Sequence, residues 1–100
     1  MGENVTEFIL LENHTGGEGP IVEWTGVGPA TLHLEGNWDG ATVTITEKPK
    51  SGSSWVSPPT NFAFTKNTAI SFKAGRVEIK AAISGEGVAT SLSGWLVPSD

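Results

Sequence analysis

Apolar and polar residues alternate most cleanly over residues 29–46. Ala30, Leu32 and Leu34 share one parity, and Thr31, His33 and Glu35 the other. Beyond Asn37-Trp38-Asp39-Gly40, Ala41, Val43 and Ile45 alternate with Thr42, Thr44 and Thr46. Successive side chains of a strand point to opposite faces, so this period of two predicts two half-buried strands. The four residues between them predict a hairpin: a type I turn closed by Gly40 in the left-handed region, with Asn37 or Asp39 bonding nearby backbone N–H groups. Trp38 has the parity of Leu32 and Leu34 and is expected to fold over the apolar side.

The same reading runs along the rest of the chain. Residues 5–11 have strand content without clean alternation, and residues 12–20 are all turn chemistry. This predicts an N-terminal arm and Gly-rich linker over residues 1–19, followed by a domain over residues 20–100. Such an arm has two outcomes: packing on its own domain, or adding to the sheet edge of a neighbour. Further short strands are predicted at 21–25, 54–57, 61–65, 69–73, 76–83 and 88–97, with Pro58-Pro59 marking an edge or an exit. Phe62 and Phe64, then Ile70 and Phe72, are placed on core faces. Val77, Ile79, Ala81 and Ile83 alternate with Arg76, Glu78, Lys80 and Ala82, the pattern of an antiparallel strand wet on one side.

No window shows helical periodicity. About eight short strands with regular turn signals predict an all-β fold, an antiparallel β-sandwich of jelly-roll or immunoglobulin-like topology, because strand order is not written in the pattern. Composition agrees: 100 residues suit one domain, and 13 Gly and 6 Pro favour turns and strands. With no Cys there is neither a disulfide framework nor a thiolate nucleophile. The formal charge of −5 comes from 11 acidic and 6 basic residues, and the basic ones form no cluster, which argues against nucleic acid as a partner. Residues 8–11 are too short to span a bilayer, so no membrane association is expected.

The candidate chemistry is thin. His14 lies in a Gly-rich loop and His33 on the wet face of a strand, and the internal aspartate, Asp39, is a turn residue. No positioned nucleophile accompanies them, so no catalytic residues are assigned and no enzyme activity is expected. His14 with Glu12 and Glu18, or His33 with Glu35, offers spacings that chance produces, and neither a metal nor a cofactor is assigned. The four tryptophans are the best case for ligand binding, since an exposed indole stacks on sugar faces or fills protein pockets. Trp24, Trp38, Trp55 and Trp95 lie on or beside different strands, which favours core or interface roles over one sugar platform. Trp38 and Trp55 are the candidates for exposure.

The run Leu34-Glu-Gly-Asn-Trp-Asp-Gly-Ala-Thr-Val-Thr-Ile45 resembles a pattern in small virion proteins of tailed bacteriophages: Gly, a spacer, an aromatic, then Asp-Gly-Ala-Thr-Val-Thr. The resemblance continues in order through Gly52-Ser-Ser-Trp-Val56, the Phe62 to Phe64 strand, Ala74-Gly75-Arg76-Val77, Ala81-Ala-Ile-Ser-Gly85 and Ala89-Thr-Ser-Leu92, covering about residues 25–95. It implies a non-enzymatic virion structural protein, foremost a capsid decoration or cement protein on the head exterior, made in the host cytoplasm. The implied partner is the major capsid protein or another virion protein, and the implied assembly is a homo-oligomer, a trimer being favoured. Phe8, Ile9 and Leu10 of the arm, with Trp38 and Trp55, are the expected partner contacts. A tail or head-tail adaptor role, or a carbohydrate-binding module, remain the alternatives.

Overall fold

The computed structural model describes residues 7–24, 29–56, 62–73 and 77–98. Among them the chain forms nine strands: β1 Phe8–His14, β2 Gly17–Glu18, β3 Val22–Glu23, β4 Pro29–Asn37, β5 Thr42–Pro49, β6 Ala63–Phe64, β7 Thr68–Lys73, β8 Val77–Ser84 and β9 Ser91–Pro98. The first sheet has the order β1-β9-β4-β7. The second has the order β2-β8-β5-β6, with β3 also paired to β8. All pairings are antiparallel.

Gly17 and Glu18 pair with Ile83 and Ala82, and Val22 and Glu23 with Ile79 and Glu78. Gly19 N–H donates to the Ala81 carbonyl at 2.8 Å between them. So β2 and β3 act as one interrupted strand along one edge of β8. The chain is then a long folded hairpin, β1 against β9, β2 and β3 against β8, β4 against β7, β5 against β6. Rolling it up brings β4 to β9 and β5 to β8. This is a jelly roll, and it decides between the two topologies that alternation leaves open.

The side chains that alternation places inward meet between the sheets. Leu32, Leu34, Leu92 and Leu96 from the first sheet face Val43, Ile45, Ile79 and Ile83 from the second, all buried. Each buried aliphatic chain contributes roughly 1.5–3 kcal/mol relative to exposure. Trp24 is sealed in the same core, with Phe8 tilted against it at a ring-centroid distance of 5.0 Å. Phe62 is buried and packs edge-on to Phe64, as their shared parity predicts.

The expected hairpin is not a hairpin. Both strands alternate as read, but β4 belongs to the first sheet and β5 to the second. The turn closes locally, with Ala41 N–H donating to the Trp38 carbonyl at 2.8 Å, and the chain then crosses the sandwich. Asp39 (φ 43°) and Gly40 (φ 83°) are both left-handed, where one left-handed residue is expected. A second crossing, from β8 to β9, lies beside the first and supplies the reason. Asp39 Oδ2 accepts the Ala89 N–H at 2.8 Å, and Thr90 Oγ1 donates to the Trp38 carbonyl at 3.0 Å. An aspartate tolerates the left-handed region better than most residues, and here its carboxylate caps the neighbouring arch.

Within the expected arm and linker at 1–19, the described residues join the two sheets. β1 is a full member of the first sheet, and β2 falls within the expected linker and pairs with β8. In the single chain β1 packs on its own domain. The register of β1 shifts between Ile9 and Leu11 and again between Leu11 and His14. These bulges let Leu10 and Leu11, adjacent in sequence, both enter the core, and they explain the missing alternation. Two smaller departures follow from edge positions. Ile70, placed on a core face, is 37% exposed on the edge strand β7, and Val88 stands free in the turn before β9. The expected strand at 54–57 is reduced to a bridge between Glu47 and Val56, with residues 57–60 outside the described residues. The turns expected at 26–29 and 74–75 also fall largely outside the described residues.

Candidate functional site

The five expected contact residues are not brought together. Leu10 is fully buried, so its side chain belongs to the domain's own core and not to a partner surface. Phe8 is partly buried against that core. Ile9 is 45% exposed on the outer face of β1, which is an edge strand.

Trp38 sits at the arch, partly buried. Its indole N–H donates to Asn67 Oδ1 at 2.8 Å, and the same oxygen accepts the Gly36 N–H at 3.1 Å. This ties the β4 end to the segment leading into β7. Gly36 has φ 140°, and a Cβ there would meet the backbone of Ser91 and Leu92 on β9. Gly36, Trp38, Asp39 and Gly40 therefore act together in locking the corner.

Trp55 lies over the outer face of the second sheet, beside Lys48 and Lys80. The Nζ of Lys80 is 4.5 Å from the centre of its ring system and that of Lys48 is 5.5 Å away. Each lysine has a carboxylate partner as well: Lys80 with Glu18 at 3.2 Å, and Lys48 with Glu78, its direct cross-strand neighbour, at 2.8 Å. Lys50 pairs with Glu23 at 3.4 Å. Three lysines thus meet three glutamates on this face. At the margin, Glu47 shares the inward parity of Val43 and Ile45. Its Oε1 is sealed without a hydrogen-bond partner among the described residues, and desolvation raises its pKa above the usual carboxylate value.

The outer face of the first sheet is built differently. Ser91, Ser93, Trp95 and Val97 point outward from β9 because Leu92, Gly94 and Leu96 point inward. Register places Trp95 between Ile9 of β1 and His33 of β4, and Ser93 beside Glu35. Glu7, His33, Glu35, Trp95 and Val97 line a shallow groove of about 390 Å³. The side chains of Glu7, His33, Glu35 and Trp95 make no hydrogen bond or ion pair with any described residue. Such a half-buried indole among free polar groups suits ligand contact better than the contact-rich settings of Trp38 and Trp55.

Sequence reasoning placed His33 and Glu35 on a wet face but missed Trp95. The signal was present in the parity of Ser93, Trp95 and Val97 against Leu92, Gly94 and Leu96. Using it requires knowing that β9 lies between β1 and β4. Among the described residues no group of three or more His, Cys, Asp or Glu is arranged to hold a metal ion. No helix of the described structure is long and apolar enough to cross a membrane. Comparison with models of protein families, with curated proteins and with solved structures finds no match.

Proposed function

We propose that the chain is a non-enzymatic structural protein of a bacteriophage particle, a decoration or cement protein that binds the outside of the head and bridges major capsid subunits as a homo-oligomer, with a trimer favoured. The observation that carries this reading is the resemblance centred on Gly36, Trp38, Asp39 and Gly40, now joined to what those residues do. In this chain they lock the corner of a jelly roll, so the residues that carry the resemblance have a structural role here. The jelly roll is itself an architecture of viral capsid and lectin domains.

The rim of the molecule supports assembly. The body extends 39 × 38 × 20 Å, a flat plate suited to lying on a shell, and Ile9, Ile21, Val56, Ile70 and Val88 are exposed. The edge strands β1 and β7 present backbone groups to further pairing. Many weak contacts of this kind stiffen a particle through copy number and not through individual affinity.

The test is co-sedimentation with purified heads of the phage that encodes the chain, with copies counted against the major capsid protein. Hundreds of copies per particle support decoration, whereas roughly six to twelve fit a closed ring in the neck or tail. Absence from particles overturns the virion reading.

A further inference from the structure

We infer that the groove on the outer face of the first sheet is a binding site for a neutral hexopyranose ring, stacked on Trp95 and hydrogen-bonded by Glu7, His33 and Glu35. This goes beyond the proposed virion role and does not rest on it.

The groove is open and shallow, so it contacts one side of a ligand. A pyranose has an apolar C–H face that packs on an aromatic surface and a rim of hydroxyls that both donate and accept. Trp95 supplies the aromatic surface, with Val97 extending the apolar floor two residues along β9. Around it stand acceptors in the two carboxylates, a donor in the indole N–H, and an imidazole carrying both kinds of nitrogen. Hydroxyls match such a mixed set. A phosphate or carboxylate ligand does not, because it requires donors throughout and would face Glu7 and Glu35 at close range. A cation would be attracted by the carboxylates, but the groove offers one aromatic face and no cage.

The groups are also held without being consumed. His33 and Trp95 are direct cross-strand neighbours on β4 and β9, both strands lying inside the sheet, so the stacking surface and one polar group are fixed by the backbone ladder. No described residue engages the side chains of Glu7, His33, Glu35 or Trp95 by hydrogen bond or ion pair. The outer face of the second sheet shows that this sequence can pair its surface charges when they serve the fold. A preformed but open site of this kind binds weakly, with dissociation constants of roughly 0.1–10 mM expected.

The test is titration of the full chain with glucose, galactose, mannose, N-acetylglucosamine, lactose and cellobiose, followed by backbone and indole N–H shifts in ¹⁵N spectra. At least one of these sugars is expected to shift the Trp95 indole N–H together with the His33 and Glu35 amides. Trp95→Ala abolishes that response, Glu35→Gln weakens it by about tenfold, and Trp55→Phe leaves it unchanged. If Trp95→Ala does not fold, the variant His33→Ala with Glu35→Gln, at exposed positions, takes its place and is expected to abolish the response. The inference is overturned by silence toward all six sugars, by sugar binding that survives Trp95→Ala or the double variant that replaces it, or by tetramethylammonium or N-acetylneuraminate binding more tightly than any neutral sugar. Sedimentation with phage heads is a separate measurement, so a chain that binds sugar and ignores particles sinks the virion reading alone.

Discussion

The two outer faces of the sandwich come from the same alternation of residues and end in opposite states. On the second sheet, Lys48, Lys50 and Lys80 each meet a glutamate, and two of these lysines also flank Trp55. On the first sheet, Trp95, His33, Glu35 and Glu7 line a groove and make no hydrogen bond or ion pair with a described residue through their side chains. The difference lies in what register places side by side. Opposite charges fall directly across from each other at Lys48 and Glu78, whereas Trp95 falls between Ile9 and His33. Groups satisfied internally contribute to stability, and the groove's side chains, which make no hydrogen bond or ion pair with a described residue, are available for contact, although elsewhere on that face Thr31 bonds Ser71 and Ser93 accepts the Asn13 N–H.

Because both faces depend on the two sheets being locked at the corner, the largest effect is expected there. Gly36→Ala forces a Cβ against the β9 backbone at a φ that side chains rarely adopt, and a loss of about 2–4 kcal/mol is expected in chemical denaturation. A loss below that of an ordinary surface substitution breaks the account of the corner. Asp39→Ala removes the acceptor for Ala89 N–H and leaves a left-handed residue without its side-chain support, for about 1–2 kcal/mol.

Lys80→Ala tests the satisfied face directly. It removes the contact to Trp55 and the pair with Glu18, and about 1 kcal/mol is expected, with a change in Trp55 fluorescence. The mirror substitutions on the open face, His33→Ala and Glu35→Ala, are expected within about 0.5 kcal/mol of the parent. Equal losses on the two faces would erase the contrast between them.

Glu47→Gln gives a small effect with a distinctive pH dependence. The raised pKa means that the folded state favours the protonated carboxyl, so the charged form weakens the fold at neutral pH. The stability gained by protonation is fully present below the ordinary value of 4.5 and is lost as pH rises through the raised folded pKa. Glu47→Gln is therefore more stable than the parent at pH 7, and the gap closes as pH falls toward 4.5. A gap that is constant with pH would place the Glu47 carboxyl in water.

Much of the fold was legible in the chain because side-chain parity is a local property. The inward sets Ala30, Leu32, Leu34 and Val43, Ile45, and the inward Ile79, Ala81, Ile83 of β8, are where alternation puts them. β1 was less legible, since two bulges break its period and let Leu10 and Leu11 share the core. The open face was legible only in halves: His33 and Glu35 stood on a wet parity, but Trp95 had no neighbour until β9 had a place.

By itself, then, the sequence determined an all-β chain, the wet and dry parity of its strands, and a turn at Asp39 and Gly40. Only the tertiary structure decided that this turn crosses between sheets instead of closing a hairpin, and that the roll lays β9 between β1 and β4. The reason is physical. Alternation depends on each residue and its immediate neighbours, whereas pairing depends on which strands the stacked arches carry together. At the corner that choice is held by Asp39 and Ala89, residues far apart in the chain and 2.8 Å apart at the bond they share.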